Sequence, residues 1–244
     1  MNLLLLRGLM REIRHWGDFP VVLAKQENIE NVVCLDLPGI GENKDKTFPL
    51  SMGEVVNSLR NDFLAIKGDQ PWAIVGISLG GMIALEWQKE FFTDFKKIII
   101  INSSALNTSP TWHRLKPKAL MTCLKSLKSS SNETREAAIL KMVSNKYAND
   151  PETLRKWVKI ANECPMNKIT AIRQLAVAAK FTAPKKLNIP GLVISSRADN
   201  MVAWQCSKQL AKRYNTKLVL HSSAGHELAL DEPDWLAKNI SQWL

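Results

Sequence analysis

The 244-residue sequence has no apolar run that approaches the roughly 20 residues needed to span a bilayer. Its opening segment, Asn2–Leu6, is apolar but only a few residues long. It has neither a basic region before it nor a small-residue cleavage site after it, as a signal peptide would have. We therefore interpret this segment as a buried strand, and we predict no transmembrane segment.

Cysteine is scarce, with four residues that form no CxxC motif and no Cys/His cluster. These residues are Cys34, Cys123, Cys164 and Cys206. Their scatter argues against a disulfide framework and against a zinc site, and it fits the reducing cytosol. We predict a cytoplasmic protein without a structural metal.

The charge is uneven along the chain. The formal net charge is +10, and residues 105–180 carry fourteen Lys and Arg against five Asp and Glu, a balance of +9. This segment is either a solvated face or a docking face for an acidic partner. It shows no aromatic-interleaved strand surface and no recognition motif, so we predict no nucleic-acid partner.

Short apolar runs alternate with longer amphipathic stretches. The predicted strands are Asn2–Leu6, Asn31–Leu35, Ala73–Ile77, Lys97–Ile101, Gly191–Ser195 and Lys217–His221. The predicted helices between them begin at Ser51 (a capping box with Glu54), Gly80, Ala203 and Pro233. Alternating strands and helices favour an α/β fold with a doubly wound, mainly parallel sheet.

The stretch from 105 to 181 interrupts this alternation because it contains no strand-like run. We interpret it as an all-helical insertion, with Asp150 as the N-cap of one helix and Pro151 at its first position. The predicted domains are thus a core of residues 1–104 and 182–244 and an inserted cap of 105–181. Helical spacing favours core positions for the apolar residues of this insertion. These are Trp112, Leu120, Met121, Leu124, Leu127, Trp157, Ile160 and Leu175.

The sharpest motif is Gly76-Ile77-Ser78-Leu79-Gly80, which follows a predicted strand and precedes a predicted helix. A serine on such a tight turn is held in a strained conformation and projects its hydroxyl above the sheet. The following helix N-terminus offers backbone N–H groups to a developing oxyanion. Ser78 is therefore the candidate nucleophile.

A serine nucleophile needs a base and a group that orients the base. Of the four histidines, His226 lies in the loop after the last strand, where doubly wound sheets place active residues. Asp199 lies in the loop after the preceding strand. The order Ser78, Asp199, His226 fits this arrangement. The rivals Asp231 and Asp234 follow His226 closely, and we interpret them as helix-start acids.

With these residues in place, the chain resembles the α/β-hydrolase superfamily over nearly its full length. Asp36-Leu37-Pro38-Gly39-Ile40-Gly41 is similar to a turn of the family, and the ending from Gly225-His226 to Pro233 is similar to its usual C-terminal region. The resemblance implies that the helical insertion is a cap and that the backbone N–H groups of Leu9 and Leu79 form the oxyanion hole. It also implies chemistry without a metal or an organic cofactor.

Two positions depart from the family pattern. The family reads His-Gly where this chain has Arg7-Gly8, which puts the packing of that turn in doubt. The family's first antiparallel hairpin is also missing, so we expect six parallel strands and one sheet edge that is either exposed or covered by a partner or another segment.

The resemblance implies a carboxylic ester hydrolase that acts on a small-molecule ester or acyl substrate. One member class, the pimeloyl-acyl carrier protein methyl ester esterases, is similar in size and layout and binds an acidic carrier through basic cap residues. An acyl thioesterase or lipase-like hydrolase, and a catalytically silent binding protein of the same fold, remain alternatives. The candidate substrate-binding residues are Met10, His15, Trp16 and Trp112.

Overall fold

A computed structural model describes residues 1–165 and 167–244 of the chain. Its sheet contains six strands in the order β2-β1-β3-β4-β5-β6, and every neighbouring pair is parallel. The strands are β1 (Asn2–Leu6), β2 (Asn31–Leu35), β3 (Trp72–Ile77), β4 (Lys97–Ile101), β5 (Gly191–Ser196) and β6 (Lys217–His221). The six-stranded parallel sheet that we predicted is confirmed, with strand ends within one residue of the expected positions.

Helices cover both faces of the sheet because the central strands are apolar on both sides. Along β1, Leu4 and Leu6 belong to one core, whereas Leu3 and Leu5 belong to the other. The first core is completed by α2 (Met52–Leu64), α3 (Leu79–Glu90) and α9 (Trp204–Tyr214). The second is completed by α1 (Phe19–Ala24), α10 (Leu228–Asp231) and α11 (Pro233–Trp243). Each fully buried leucine contributes roughly 1.5–3 kcal/mol to the free energy of folding. The two apolar cores therefore hold the helices against the two faces of the sheet.

Between β4 and β5, the described residues form five helices. They are α4 (Thr111–Arg114), α5 (Pro117–Lys128), α6 (Asn132–Val143), α7 (Pro151–Glu163) and α8 (Lys168–Lys180). The predicted N-cap is present, since the Asp150 carboxylate accepts from Thr153 N at 2.7 Å. We propose that this helical segment is the cap, and it shares a third apolar cluster with Met201 and Val202 of the core.

The prediction that the cap's apolar residues are core is only partly right. Trp157 and Ile160 are buried, as expected. It is wrong for four others, because Trp112, Leu120, Met121 and Leu124 are between 44% and 65% exposed. Helical spacing identified one apolar stripe but could not say whether another element covers it.

The sheet has an edge at β2, which within the described part of the chain pairs with β1 alone. Its central residues are half-buried, with Val33 packed against one core and Val32 against the other. Among the described residues, no helix is both long enough and apolar enough to cross a membrane.

Candidate active site

Ser78 occupies a sharp turn between β3 and α3. Its backbone has φ 55° and ψ −115°, outside the regions that L-residues ordinarily adopt. The turn is possible because the flanking glycines permit close approach. A Cβ on Gly76 would lie 2.2 Å from Gly80 O, and a Cβ on Gly80 would lie 2.2 Å from Leu6 O. The packing therefore requires both glycines, and it holds Ser78 at the carboxyl end of the central strand.

Asp199 and His226 form a buried pair at the same edge of the sheet. The carboxylate oxygen Oδ2 lies 2.7 Å from Nδ1 of the imidazole. The other oxygen accepts from the backbone N–H groups of Met201 at 2.7 Å and Val202 at 2.9 Å, which fixes the carboxylate in place. Burial alone would lower the pKa of His226, but the Asp199 carboxylate outweighs it and raises that pKa above its ordinary value.

Ser78 and His226 line one narrow cavity of about 40 Å³. No hydrogen bond of 3.5 Å or less joins the serine hydroxyl to a described residue, so the arrangement brings the two side chains to a common space without a direct bond. Such contacts are often long in the absence of substrate and tighten when it binds.

The amides of Leu9 and Leu79 flank the serine. Leu79 is the first residue of α3, and neither its N–H nor that of Leu9 donates a hydrogen bond to the described part of the chain. Gly8, the residue before Leu9, packs closely against the serine, because a Cβ on Gly8 would lie only 3.1 Å from Ser78 Cβ. Backbone N–H groups without a partner in the described part of the chain are the kind of donor that an oxyanion requires.

Arg7 takes the position where the resembling family has histidine. Its guanidinium is 1% exposed, donates to Glu227 Oε1 at 2.8 Å and lies 4.5 Å above the Trp16 ring. Burial lowers the pKa of Arg7, and the neighbouring Glu227 opposes that change. The packing that the sequence left in doubt is thus resolved by an ion pair to the residue that follows His226.

Two residues outside the predicted triad hold the histidine loop in place. Asn102, directly after β4 with φ 45°, donates to His226 O at 2.8 Å and accepts from Ser196 N at 2.9 Å. Asp231 accepts from Gly225 N at 2.6 Å and from Asn145 N at 2.9 Å.

Asp231 and Asp234 lie in the first turns of α10 and α11, as interpreted. The sequence did not reveal that the Asp231 carboxylate also joins the histidine loop to the cap. For Asn102, the usable signal was its place directly after a strand, the same position that identified Ser78.

A second, wider cavity of about 310 Å³ also reaches Ser78. Its lining is mostly apolar and comes from both the core and the cap. The lining residues include Leu9, Leu79, Met82, Leu115, Leu120, Leu175, Ala178 and Val202. Of the candidate substrate-binding residues, Met10 lines the narrow cavity, whereas His15, Trp16 and Trp112 line neither.

His15 and Trp16 are buried, and Trp112 is 65% exposed. His15 Nε2 lies 2.9 Å from Arg11 Nη1, and burial together with Arg11 holds the pKa of His15 well below its usual value. His15 is therefore uncharged at neutral pH. In the described ranges 1–165 and 167–244, no group of three or more His, Cys, Asp or Glu side chains is placed to hold a metal ion.

The fold is shared with several solved structures. A thermophilic esterase from Thermogutta terrifontis is 17% identical with a TM-score of 0.76, covering 100% of this chain and 89% of that one. A lipase-esterase related protein from Clostridium acetobutylicum is 16% identical with a TM-score of 0.77, covering 100% and 94%. The 2-hydroxy-6-oxo-6-phenylhexa-2,4-dienoate hydrolase from a Rhodococcus species is 20% identical with a TM-score of 0.77, covering 99% and 89%.

At these identities the structural likeness establishes the fold alone. No curated protein sequence matches the chain. The family model described as "Alpha/beta hydrolase family" matches residues 3–239, which is nearly the whole chain. Together with the six-stranded sheet, this match shows that the chain belongs to the alpha/beta hydrolase family.

Proposed function

We propose that this chain is a serine hydrolase that cleaves carboxylic esters through an acyl-enzyme intermediate. The observation that carries the proposal is the buried Asp199–His226 pair, whose imidazole shares a cavity with a serine held at φ 55°. A structural serine has no need of a strained turn, an adjacent base and a carboxylate that orients the base.

The chemistry follows from the geometry. Ser78 Oγ attacks the acyl carbon while His226 Nε2 takes its proton, and Asp199 stabilises the imidazolium that forms. The N–H groups of Leu9 and Leu79 bind the oxyanion, each contributing about 3 kcal/mol to the transition state. His226 then protonates the leaving alcohol oxygen. Water deprotonated by the same imidazole then attacks the acyl carbon of the acyl-enzyme. The bond from that carbon to Ser78 Oγ breaks, His226 returns the proton to Oγ, and the acid is released.

The two cavities support an assignment of the substrate's ends. His226 lines the narrow cavity, and the leaving oxygen must be within reach of its proton, so the alcohol side belongs there. The acyl chain then occupies the wider cavity, where an apolar lining favours an aliphatic chain. The same cavity also suits the acyl group of a thioester, so a panel of oxygen esters and thioesters of one acid decides between the two leaving groups.

The experiment that tests the proposal is labelling with a fluorophosphonate, combined with hydrolysis of p-nitrophenyl esters. The wild-type chain should be labelled and should turn over, and Ser78→Ala should lose both properties. Ser103→Ala is a matched control, because Ser103 is buried nearby but its hydroxyl donates to Ser78 O and lines neither cavity. Label on Ser78→Ala would refute the assignment, and an unlabelled wild type would favour a silent binding protein.

A further inference from the structure

Three cap helices that contribute to the lining of the wider cavity also carry exposed apolar side chains. Twelve large hydrophobic side chains are exposed among the described residues, and six of them lie on α4, α5 and α8. We name this set the cap rim: Trp112, Leu120, Met121, Leu124, Ile169 and Ile172.

The rim borders the cavity on two sides. On α5, Leu120 lines the cavity, and Leu124 lies one turn further along the same helix face. On α8, Leu175 lines the cavity, and Ile172 lies three residues before it, which is again the same face. Exposed apolar side chains thus share helix faces with residues that line a space reaching Ser78. We take this combination as the basis for an interaction site.

The charge around the rim has one sign. Residues 105–132 contain five basic residues and no acidic one, and residues 164–180 contain three basic and no acidic. The exposed lysines of these segments are Lys118, Lys125, Lys128, Lys168 and Lys180. All five acidic residues of 105–180 fall within 133–163, on or beside α6 and α7. The basic character of the cap is thus concentrated on the helices that carry the rim.

We infer that the cap rim docks on the surface of an anionic lipid bilayer. Lysines interspersed with exposed Trp, Leu, Ile and Met side chains match a surface with anionic headgroups above an apolar interior. The lysines alone would also suit an acidic carrier protein, so the exposed aliphatic side chains are the observation that favours a surface with an apolar interior. The cytoplasmic location that the cysteine pattern predicts would place the rim beside a leaflet that carries anionic lipids.

When the cap rim rests on the bilayer, the wider cavity faces the lipid. Acyl chains could then reach the space beside Ser78 without crossing water. The inference goes beyond the proposed hydrolysis and does not depend on it, because binding to vesicles requires no turnover. The two hypotheses can therefore fail separately.

The test is co-sedimentation of the full-length Ser78→Ala chain with vesicles of phosphatidylcholine, with and without phosphatidylglycerol. We expect binding to the anionic vesicles to be at least about tenfold stronger than to the neutral ones, and to weaken with salt. The double variant Met121→Ser/Leu124→Ser should lose about tenfold or more in affinity for the anionic vesicles. The double variant Lys118→Glu/Lys125→Glu should lose at least as much affinity for the anionic vesicles.

The matched control is Leu64→Ser/Ile66→Ser, which removes two hydrophobic side chains of similar exposure outside the cap. This control should bind the anionic vesicles as strongly as the Ser78→Ala chain does. Met121 and Leu124 line neither cavity, so Met121→Ser/Leu124→Ser in the wild-type background should keep hydrolysis of a short soluble ester unchanged. Circular dichroism and thermal melting verify that each variant folds.

Three outcomes would overturn the inference. The first is no difference between anionic and neutral vesicles. The second is loss of binding in the lysine variant alone, because contact would then be electrostatic without insertion of the rim. The third is tight binding of an acidic acyl carrier protein, blocked by Lys118→Glu/Lys125→Glu, together with no binding to vesicles.

Discussion

The Arg7 guanidinium donates to the Glu227 carboxylate at 2.8 Å, with both side chains buried. Glu227 directly follows His226 in the chain, so this ion pair joins the loop beside Ser78 to the loop that carries the predicted base. Removing one partner leaves an uncompensated buried charge, which typically costs about 3–5 kcal/mol.

We therefore predict that Glu227→Gln lowers the free energy of unfolding by an amount of that order, measured by urea denaturation. The double variant Arg7→Met/Glu227→Leu should recover much of the loss, because it removes both charges. As a control, Glu152→Gln breaks the exposed pair with Lys156 and should leave the midpoint unchanged. Equal midpoints for Glu227→Gln and the wild type would show that the pair has no structural importance.

The raised pKa of His226 predicts the acid limb of the pH profile. Only the unprotonated imidazole can accept the serine proton, so kcat/KM should rise with pH, with a midpoint above the ordinary value of about 6.5. In Asp199→Asn the stabilising carboxylate is gone and burial remains, so the midpoint should move to lower pH. The plateau should fall by roughly 10⁴-fold because the tautomer is lost. If the midpoint of kcat/KM in Asp199→Asn stayed at the wild-type pH, the acid limb would report a group other than His226.

Asn102 is expected to act as a positioning residue for His226. Asn102→Gly tolerates the positive φ but lacks the amide that donates to His226 O, so we expect lower kcat with little change in KM. Asn102→Asp keeps an acceptor for Ser196 N but places a carboxylate oxygen against His226 O, and it should be at least as damaging. Rates and denaturation midpoints measured on both variants distinguish a positioning role from a structural one. If Asn102 were purely structural, the variants would lose stability and keep kcat unaltered.

The assignment of the wider cavity to the acyl chain predicts a chain-length dependence. Each additional methylene that the cavity buries is worth about 0.8 kcal/mol, or roughly fourfold in kcat/KM. Leu175→Trp fills part of this space and should flatten the series from acetate to octanoate, with little effect on acetate. Leu154→Trp on α7 is the control, since Leu154 lines neither cavity at Ser78. If Leu175→Trp slowed every ester to the same degree, the acyl chain would lie elsewhere.

The sheet could be predicted from the sequence because its signals are local. Each buried strand is a short apolar run between turn residues, and Gly76 and Gly80 have to be glycine for reasons of close approach. Asp199 and His226 could also be identified from a local signal, because each lies in the loop directly after a strand.

The supporting contacts could not be predicted in this way, because they join distant parts of the chain. Arg7 pairs with Glu227 across 220 residues, and Asp231 binds Asn145 across 86. Nothing in the neighbourhood of either residue in the sequence indicates its partner. The exposed rim was missed for a related reason, since amphipathic spacing on α5 is the same whether or not another helix covers it.

The end of α6 is hydrogen-bonded to two loops of the candidate site. Val143 O accepts from Glu227 N, and the Asn145 side chain donates to Ala198 O and Ser223 O, which belong to the loops of the predicted acid and base. This corner of the cap is fastened to the same two loops that hold Asp199 and His226. Displacing this corner would disturb the loops that position the imidazole and its carboxylate, so we expect a substrate to enter without a shift of the end of α6.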